Sequence, residues 1–270
     1  KPELKRAGYL EIGPIEIDDD DPTKNWTFTE TTYDWCSGSG TVNDPYTIEN
    51  VTVNGQSTRG IYILNSIVFF IIRNCTVYNS SYGIRLNRAD NGRIINNNCS
   101  FNTEHGIFIN RGKNNNILNN IVSNNRRAGI DLEAFLENCT IIGNTMYDNG
   151  QDGIVLRQDC DNNTIRENLI YRSGYSGILL QGGSDHNIVK KNTVSDSSCG
   201  ITLYRDSNYN TVQSNRISNS DTNGIHIKES QYNIVKENII YSNLEYGINL
   251  EFSKYYQTEN NEIYLNDFVC

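Results

Sequence analysis

"NGIHIKESQYNIVKENIIYSNLEYGINL", residues 223 to 250, states one pattern twice. Gly224-Ile225-x-Ile227 returns 23 residues later as Gly247-Ile248-x-Leu250, with Asn238 between the copies. The glycine that opens each copy can be followed through Gly60, Gly83, Gly106, Gly129, Gly153, Gly177, Gly200, Gly224 and Gly247, always 23 or 24 residues apart. After each glycine the residues alternate as in a strand: Ile84 and Leu86, or Ile130 and Leu132, point one way and the residue between them the other. About eleven residues on comes a second apolar stretch, marked by Ile71, Ile94, Ile117, Ile141, Ile165, Val189, Val212 and Val235. A third follows, with inward residues expected at Thr76, Cys99, Val122, Met146, Ile170, Val194, Ile217, Ile240 and Ile263.

Between the second and third stretches stands a column of asparagines, Asn74, Asn97, Asn120, Asn144, Asn168, Asn192, Asn215, Asn238 and Asn261. Three strands in a repeat of this length fit an all-β fold, a single-stranded right-handed parallel β-helix of about ten coils of 23 to 24 residues. The crossover preference of parallel strands sets the right-handed sense. Equivalent residues of successive coils then become neighbours, so an inward asparagine at a bend can bond backbone amides and the asparagine of the next coil. A leucine-rich-repeat horseshoe has a similar period but needs several leucines per repeat, which are missing. A helical solenoid needs a 3.6-residue apolar period, which no segment holds.

Composition agrees. Only 37% of the 270 residues are hydrophobic, with one Met, so long helices are disfavoured and strands joined by turns are favoured. The formal charge of −9 excludes a nucleic-acid partner, which needs a concentrated basic face. It also repels acidic polymers overall, although a local arginine patch could override this. No apolar run is long enough to span a membrane. The chain shows no signal peptide and begins at Lys1 rather than Met, as a processed or trimmed chain does. Seven cysteines (Cys36, Cys75, Cys99, Cys139, Cys160, Cys199, Cys270) form no close metal-ligand pair, and buried free thiols are expected, with some pairing conceivable after export.

Residues 1–40 lack the repeat and hold both tryptophans, Trp26 and Trp35, so they are expected to form an N-terminal lead-in and cap, with the β-helix spanning 41–270. Such a cap protects the open strand edges of the first coil. No capping helix is visible before Cys270, and truncation of a longer chain is expected there.

The stretch "NWTFTETTYDWCSGSGTVNDPYTIENVTVNG", residues 25 to 55, followed by Gly-Ile coils with asparagine at the bends, resembles the NosD-like, carbohydrate-binding and sugar-hydrolase group of right-handed β-helix proteins, especially archaeal surface proteins. The resemblance implies a right-handed coil, an extracellular or cell-surface location, and engagement of a polysaccharide or another envelope component. NosD itself is tied to copper-site maturation of a reductase. No Met-rich or His-rich copper motif stands here, so that role is not carried over.

With inner positions spent on the core, function must use outward residues. Read coil by coil beside each Gly-Ile pair, these are Tyr82, Arg85 and Asn87; His105, Phe108 and Asn110; Ala128, Asp131 and Glu133; Asp152, Val155 and Arg157; Ser176, Leu179 and Gln181; then Tyr204, His226, Lys228, Asn249 and Glu251. His105, Asp131, Glu133, Asp152 and Arg157 form the candidate catalytic patch. Paired carboxylates can supply acid and base for glycoside hydrolysis. In a lyase they can hold Ca2+ while an arginine or histidine removes a proton. The alternative for these residues is a solvated face whose charges pair across coils. The chain lacks the DPH-type motif of alginate epimerases, since "NDPY" (43–46) has Tyr in place of His and reads as a turn, and it lacks the NTD, DD, GHG and RIK set of polygalacturonases.

Tyr147 with Tyr171, and Tyr241 with Tyr264, occupy equivalent places on adjacent coils and are candidate ligand-binding platforms, or else plain strand-stabilising stacks. "EIDDDDP", residues 16 to 22, is dense in hard oxygen donors for Ca2+ but lacks EF-hand spacing, and a solvated acidic loop is the plainer reading. Among seven N-x-S/T sequons, Asn25 and Asn138 are the better glycosylation candidates. The leading functional expectation is a noncatalytic surface module that binds carbohydrate and requires no cofactor. The second is a polysaccharide lyase or glycoside hydrolase, with Ca2+ as its conceivable ion.

Overall fold

The computed structural model describes residues 10–267. Cys270 and the first nine residues of the lead-in lie outside the described residues. The chain winds as a parallel β-solenoid with three sheets, two of eleven strands and one of ten, in which strands pair in parallel with their equivalents in the next coil, apart from Cys36–Ser37, which joins Tyr46–Glu49 antiparallel. The ten-stranded sheet contains the Gly-Ile strands, from Ile15–Asp18 and Ile61–Ser66 to Ile248–Glu251.

Four inward columns fill the interior. The Gly-Ile sheet supplies two, with Ile107, Ile130 and Ile154 in one and Ile109, Leu132 and Leu156 in the other, all fully buried. The second sheet supplies Ile94, Ile117, Ile141 and Ile165, and the third supplies Val122, Met146 and Ile170. Each coil therefore buries a fixed apolar set that its neighbours extend into one continuous core. The glycines are needed where one coil crosses the next closely. A Cβ at Gly129 would stand 2.8 Å from the Gly153 carbonyl oxygen and 3.0 Å from Asn149 Nδ2.

The asparagine ladder is present from Asn97 to Asn261. Asn120 Nδ2 donates to Ile94 O and to Asn144 Oδ1, both at 2.9 Å, while Asn144 Oδ1 also takes the Asn120 amide at 2.9 Å. Asn74 is a correction: it is exposed, and the ladder position belongs to buried Cys75, whose amide donates to Asn97 Oδ1 at 2.9 Å. The coil between them is one residue short, since Ile94 pairs with Ile72 rather than Ile71, and Cys99 with Val77 rather than Thr76. Asn74 instead takes the left-handed corner conformation (φ 53°) that precedes each rung, as Asn96 and Asn119 do. Asparagine suits both positions, so composition alone could not separate them.

Two more ladders line other corners. Asn163, Asn187, Asn210 and Asn233 form one, with Asn163 donating its amide to Asn187 Oδ1 at 2.8 Å; Asn115 holds the same place two coils earlier, and Cys139 stands between. Asn102, Asn125 and Asn149 form another, which passes through Ser173, Ser197 and Ser220 before returning to asparagine at Asn243 and Asn266.

The lead-in does more than cover the first coil. Leu10–Ile12 and Ile15–Asp18 pair in parallel with Val51–Asn54 and Ile61–Ser66 and so extend two sheets. A helix, Trp26–Thr32, begins at Asn25, whose side chain accepts the Phe28 amide. Trp26 is buried, stacks on Tyr46 with ring centroids 5.2 Å apart, and donates from Nε1 to Ser66 Oγ at 3.0 Å. The acidic run turns its carboxylates onto nearby chain: Asp18 Oδ1 accepts the Asp20 amide and Asp21 Oδ1 the Thr23 amide. All six described cysteines are buried and unpaired.

Candidate functional site on the outer face of the Gly-Ile sheet

Outward residues of the Gly-Ile sheet fall into three columns that run along the solenoid. The middle column reads Tyr62, Arg85, Phe108, Asp131, Val155, Leu179, Thr202, His226 and Asn249. The residues just before the glycines flank it on one side, and Asn87, Asn110, Glu133 and Arg157 flank it on the other. This arrangement corrects the expectation of a solvated face. His105, Asp131 and Asp152 point outward, yet only 2%, 1% and 7% of their surface remains exposed. A middle-column side chain has neighbours on both flanks as well as above and below, so outward does not mean wet.

Four of the five candidate patch residues come into direct contact, and Asp152 is held beside them by a different partner. Arg157 Nη2 lies 2.5 Å from Asp131 Oδ2 and 3.6 Å from Glu133 Oε2, and His105 Nδ1 lies 3.4 Å from the same Asp131 oxygen. The imidazole contact has ion-pair distance but not hydrogen-bond geometry, so His105 Nδ1 stays without a bonded partner. Asp131 Oδ1 and Arg157 Nε are likewise buried without a partner. Asp152 Oδ1 accepts the Ser176 amide at 2.8 Å.

Burial dominates the electrostatics. It pushes the Asp131 carboxyl up to about 7, with the Arg157 charge pulling the other way. It holds His105 down at about 3, aided by the positive charges of Arg157 and Arg127, and raises Asp152 to about 6 against the Ser176 hydrogen bond. Near neutrality the imidazole is thus uncharged, and Asp131 holds a proton more readily than a free aspartate. The groups that reach solvent are Arg157 and Glu133, whose side chains are 29% and 24% exposed. Chemically the cluster is a clamp on the Arg157 guanidinium, with an acid and a neutral imidazole behind it.

Toward the N-terminal end the same face becomes aromatic. The Arg85 guanidinium carbon lies 5.0, 4.9 and 5.5 Å from the ring centres of Tyr62, Tyr82 and Phe108. Tyr82 also stacks on His105, centroids 5.8 Å apart, which joins the box to the patch.

The tyrosine pairs stack, Tyr147 on Tyr171 at 5.2 Å and Tyr241 on Tyr264 at 5.3 Å. One ring of each pair also carries an arginine, Arg172 over Tyr171 at 4.6 Å and Arg216 over Tyr241 at 4.6 Å. A longer column, His186, Tyr209, Tyr232 and Tyr255, stacks at 5.0, 4.9 and 4.9 Å on a left-handed corner. Sequence reasoning missed this column, although its 23-residue spacing is the signal that could have found it.

Comparison with known proteins gives two family matches. Residues 136–270 match the right-handed β-helix region family, and residues 23–170 match the family described as periplasmic copper-binding protein (NosD). No curated protein sequence matches the chain. Among solved structures, the A-module of the Azotobacter vinelandii mannuronan C-5 epimerase AlgE4 superposes with a TM-score of 0.74 at 15% identity, covering 81% of this chain and 69% of that one. The periplasmic alginate epimerase AlgG gives 0.57 at 15% identity over 95% and 84% of the two chains. The Dettilon tailspike protein gives 0.60 at 14% identity over 79% and 55%. At these identities the likeness is one of fold.

The copper in the second family's description finds no fitting donors here. Among the described residues no three His, Cys, Asp or Glu side chains group as metal ligands. Burial pushes the thiols of Cys36, Cys75, Cys139 and Cys160 up to about 12, and Met146 is sealed in the core. His105, His186 and His226 stand on different coils, beside Asp131, Tyr209 and Glu251 respectively.

Proposed function

The chain belongs to the right-handed β-helix and NosD families, and from that premise we propose that it is a noncatalytic module, extracellular or in the cell envelope, that binds a polysaccharide along the outer face of its Gly-Ile sheet. The observation that carries this reading is the combination on one outward face of aromatic rings with buried polar atoms that lack partners: Arg85 Nε, His105 Nδ1, Asp131 Oδ1 and Arg157 Nε. Buried polar atoms cost free energy until something bonds them, and saccharide hydroxyls and ring faces supply what the site lacks. A polymer lying along the solenoid meets one coil about every 4.8 Å. Family and neighbours are in keeping: the matched family is described as periplasmic, and two of the superposed proteins are alginate epimerases, one of them periplasmic. The module requires no cofactor.

The pairing argues against catalysis, because Asp131 and Glu133 both lie against the Arg157 guanidinium, 2.5 and 3.6 Å away, so neither carboxylate stands free as the acid or base that glycoside hydrolysis needs. A second reading, polysaccharide lyase or glycoside hydrolase, draws on Asp131 being pushed up to about 7 beside a neutral imidazole, the kind of perturbation acid–base catalysts show. One panel experiment separates them. Polysaccharides are tested for retention on immobilised protein and, with and without Ca2+, for reducing-end release and unsaturated-sugar absorbance. Retention without turnover is expected. Turnover abolished by Asp131→Ala would replace the first reading with the second, and neither retention nor turnover would end both.

A further inference from the structure

We propose that Arg85 is the anion-recognising residue of this face, and that the bound polysaccharide carries carboxylate or sulfate groups. The proposal rests on the reading of the chain as a polysaccharide-binding module and adds the charge class of its ligand. Six of the thirteen described arginines have a carboxylate, Arg59 with Glu16, Arg73 with Glu49, Arg127 with Glu104, Arg157 with Asp131, Arg166 with Glu167 and Arg172 with Asp148, and the others, Arg85 apart, are exposed to solvent. Arg85 differs. It is half-buried in the middle column, between Tyr62 and Phe108, and among the described residues its neighbours are ring faces rather than acids. Its Nε is buried and has no hydrogen-bond partner.

Rings hold a guanidinium by attraction to their faces and leave its in-plane N–H groups unused. The polar groups nearest the box are spoken for, since Asn87 Nδ2 donates to the Tyr62 hydroxyl at 3.3 Å. A planar fork of free donors beside aromatic walls matches a carboxylate or sulfate on a sugar ring, two parallel hydrogen bonds for the anion and a ring face for the pyranose. The net charge of −9 works against acidic polymers at long range, so selectivity must arise at contact, beside the half-buried guanidinium.

The test uses matched backbones: polygalacturonate against its methyl-esterified form, and dextran sulfate against dextran, titrated calorimetrically into the full chain. At least one anionic member should bind about tenfold more tightly than its neutral partner, and Arg85→Gln should bring the two affinities together by weakening the anionic member more than the neutral one. The two pairs tell carboxylate from sulfate. Arg85→Lys keeps the charge and loses the fork, so about threefold of the preference should go; it also serves if the glutamine variant fails to fold. Equal affinity of wild type for charged and neutral partners, or a preference that survives Arg85→Gln, overturns the proposal and leaves the polysaccharide-binding module standing. Failure to retain any polysaccharide of the wider panel overturns both.

Discussion

Two sets of buried polar side chains stand in the same coils and are treated in opposite ways. In the corner ladder, Asn144 donates to Ile117 O, Ile142 O and Asn168 Oδ1 and accepts from both the amide and the side chain of Asn120. Nothing there is left to bond. On the outer face, Asp131 and His105 are buried and Arg85 and Arg157 half-buried, and each keeps a buried atom without a partner. The ladder has used its polarity to hold coils together; the face has polarity in reserve. That contrast, more than the presence of charged residues, is what the proposed binding face rests on.

The sharpest way to break the contrast is to remove a rung. Asn144→Ala strips bonds from Asn120, Ile117 and Asn168 at once, and should lower unfolding stability by about 3 kcal/mol, read from the shift of a denaturant midpoint.

A smaller effect is expected at the face, and it depends on pH. Asp131 is raised in the fold, so its share of stability is complete below about 4 and is lost as pH rises through about 7. His105 is lowered, so its folded form misses a proton that the unfolded chain binds, and stability is gained between about 3 and about 6.5. The two slopes oppose. Asp131→Asn removes the falling one, and its stability should climb with pH between about 4 and 6.5 more steeply than wild type, by up to about 1 kcal/mol per pH unit. An unchanged slope in a pH series of melts would show that Asp131 is ionised throughout.

The mildest change would sharpen the comparison by completing the third ladder. Ser173 stands where Asn149 and Asn125 stand in earlier coils, and its Oγ has no partner. Ser173→Asn should add about 0.5 to 1 kcal/mol, seen as a higher midpoint.

The period is plain in the sequence because every coil repeats the same burial problem, and Gly, Ile and Asn answer it at fixed places. What fails is local. Asn74 is misplaced because left-handed corners and inner rungs attract the same residue, and a coil one residue short hides the slip. The patch residues follow from alternation alone, but their burial is invisible there, since it depends on what stands in the columns beside them. Arg85 is legible as an outward residue and not as a cation without an acid, because that requires knowing where every neighbouring carboxylate goes.

Inter-coil hydrogen bonds, the ladders' included, run along the long axis of the solenoid, from Ile107 N to Gly129 O and from Ile130 N to Gly153 O and onward. Tension applied end to end therefore loads these bonds lengthwise, and the rod should unravel coil by coil, each step releasing the slack of a single turn. A polymer gripped along the outer face spans several turns and would act as a splint against that unwinding.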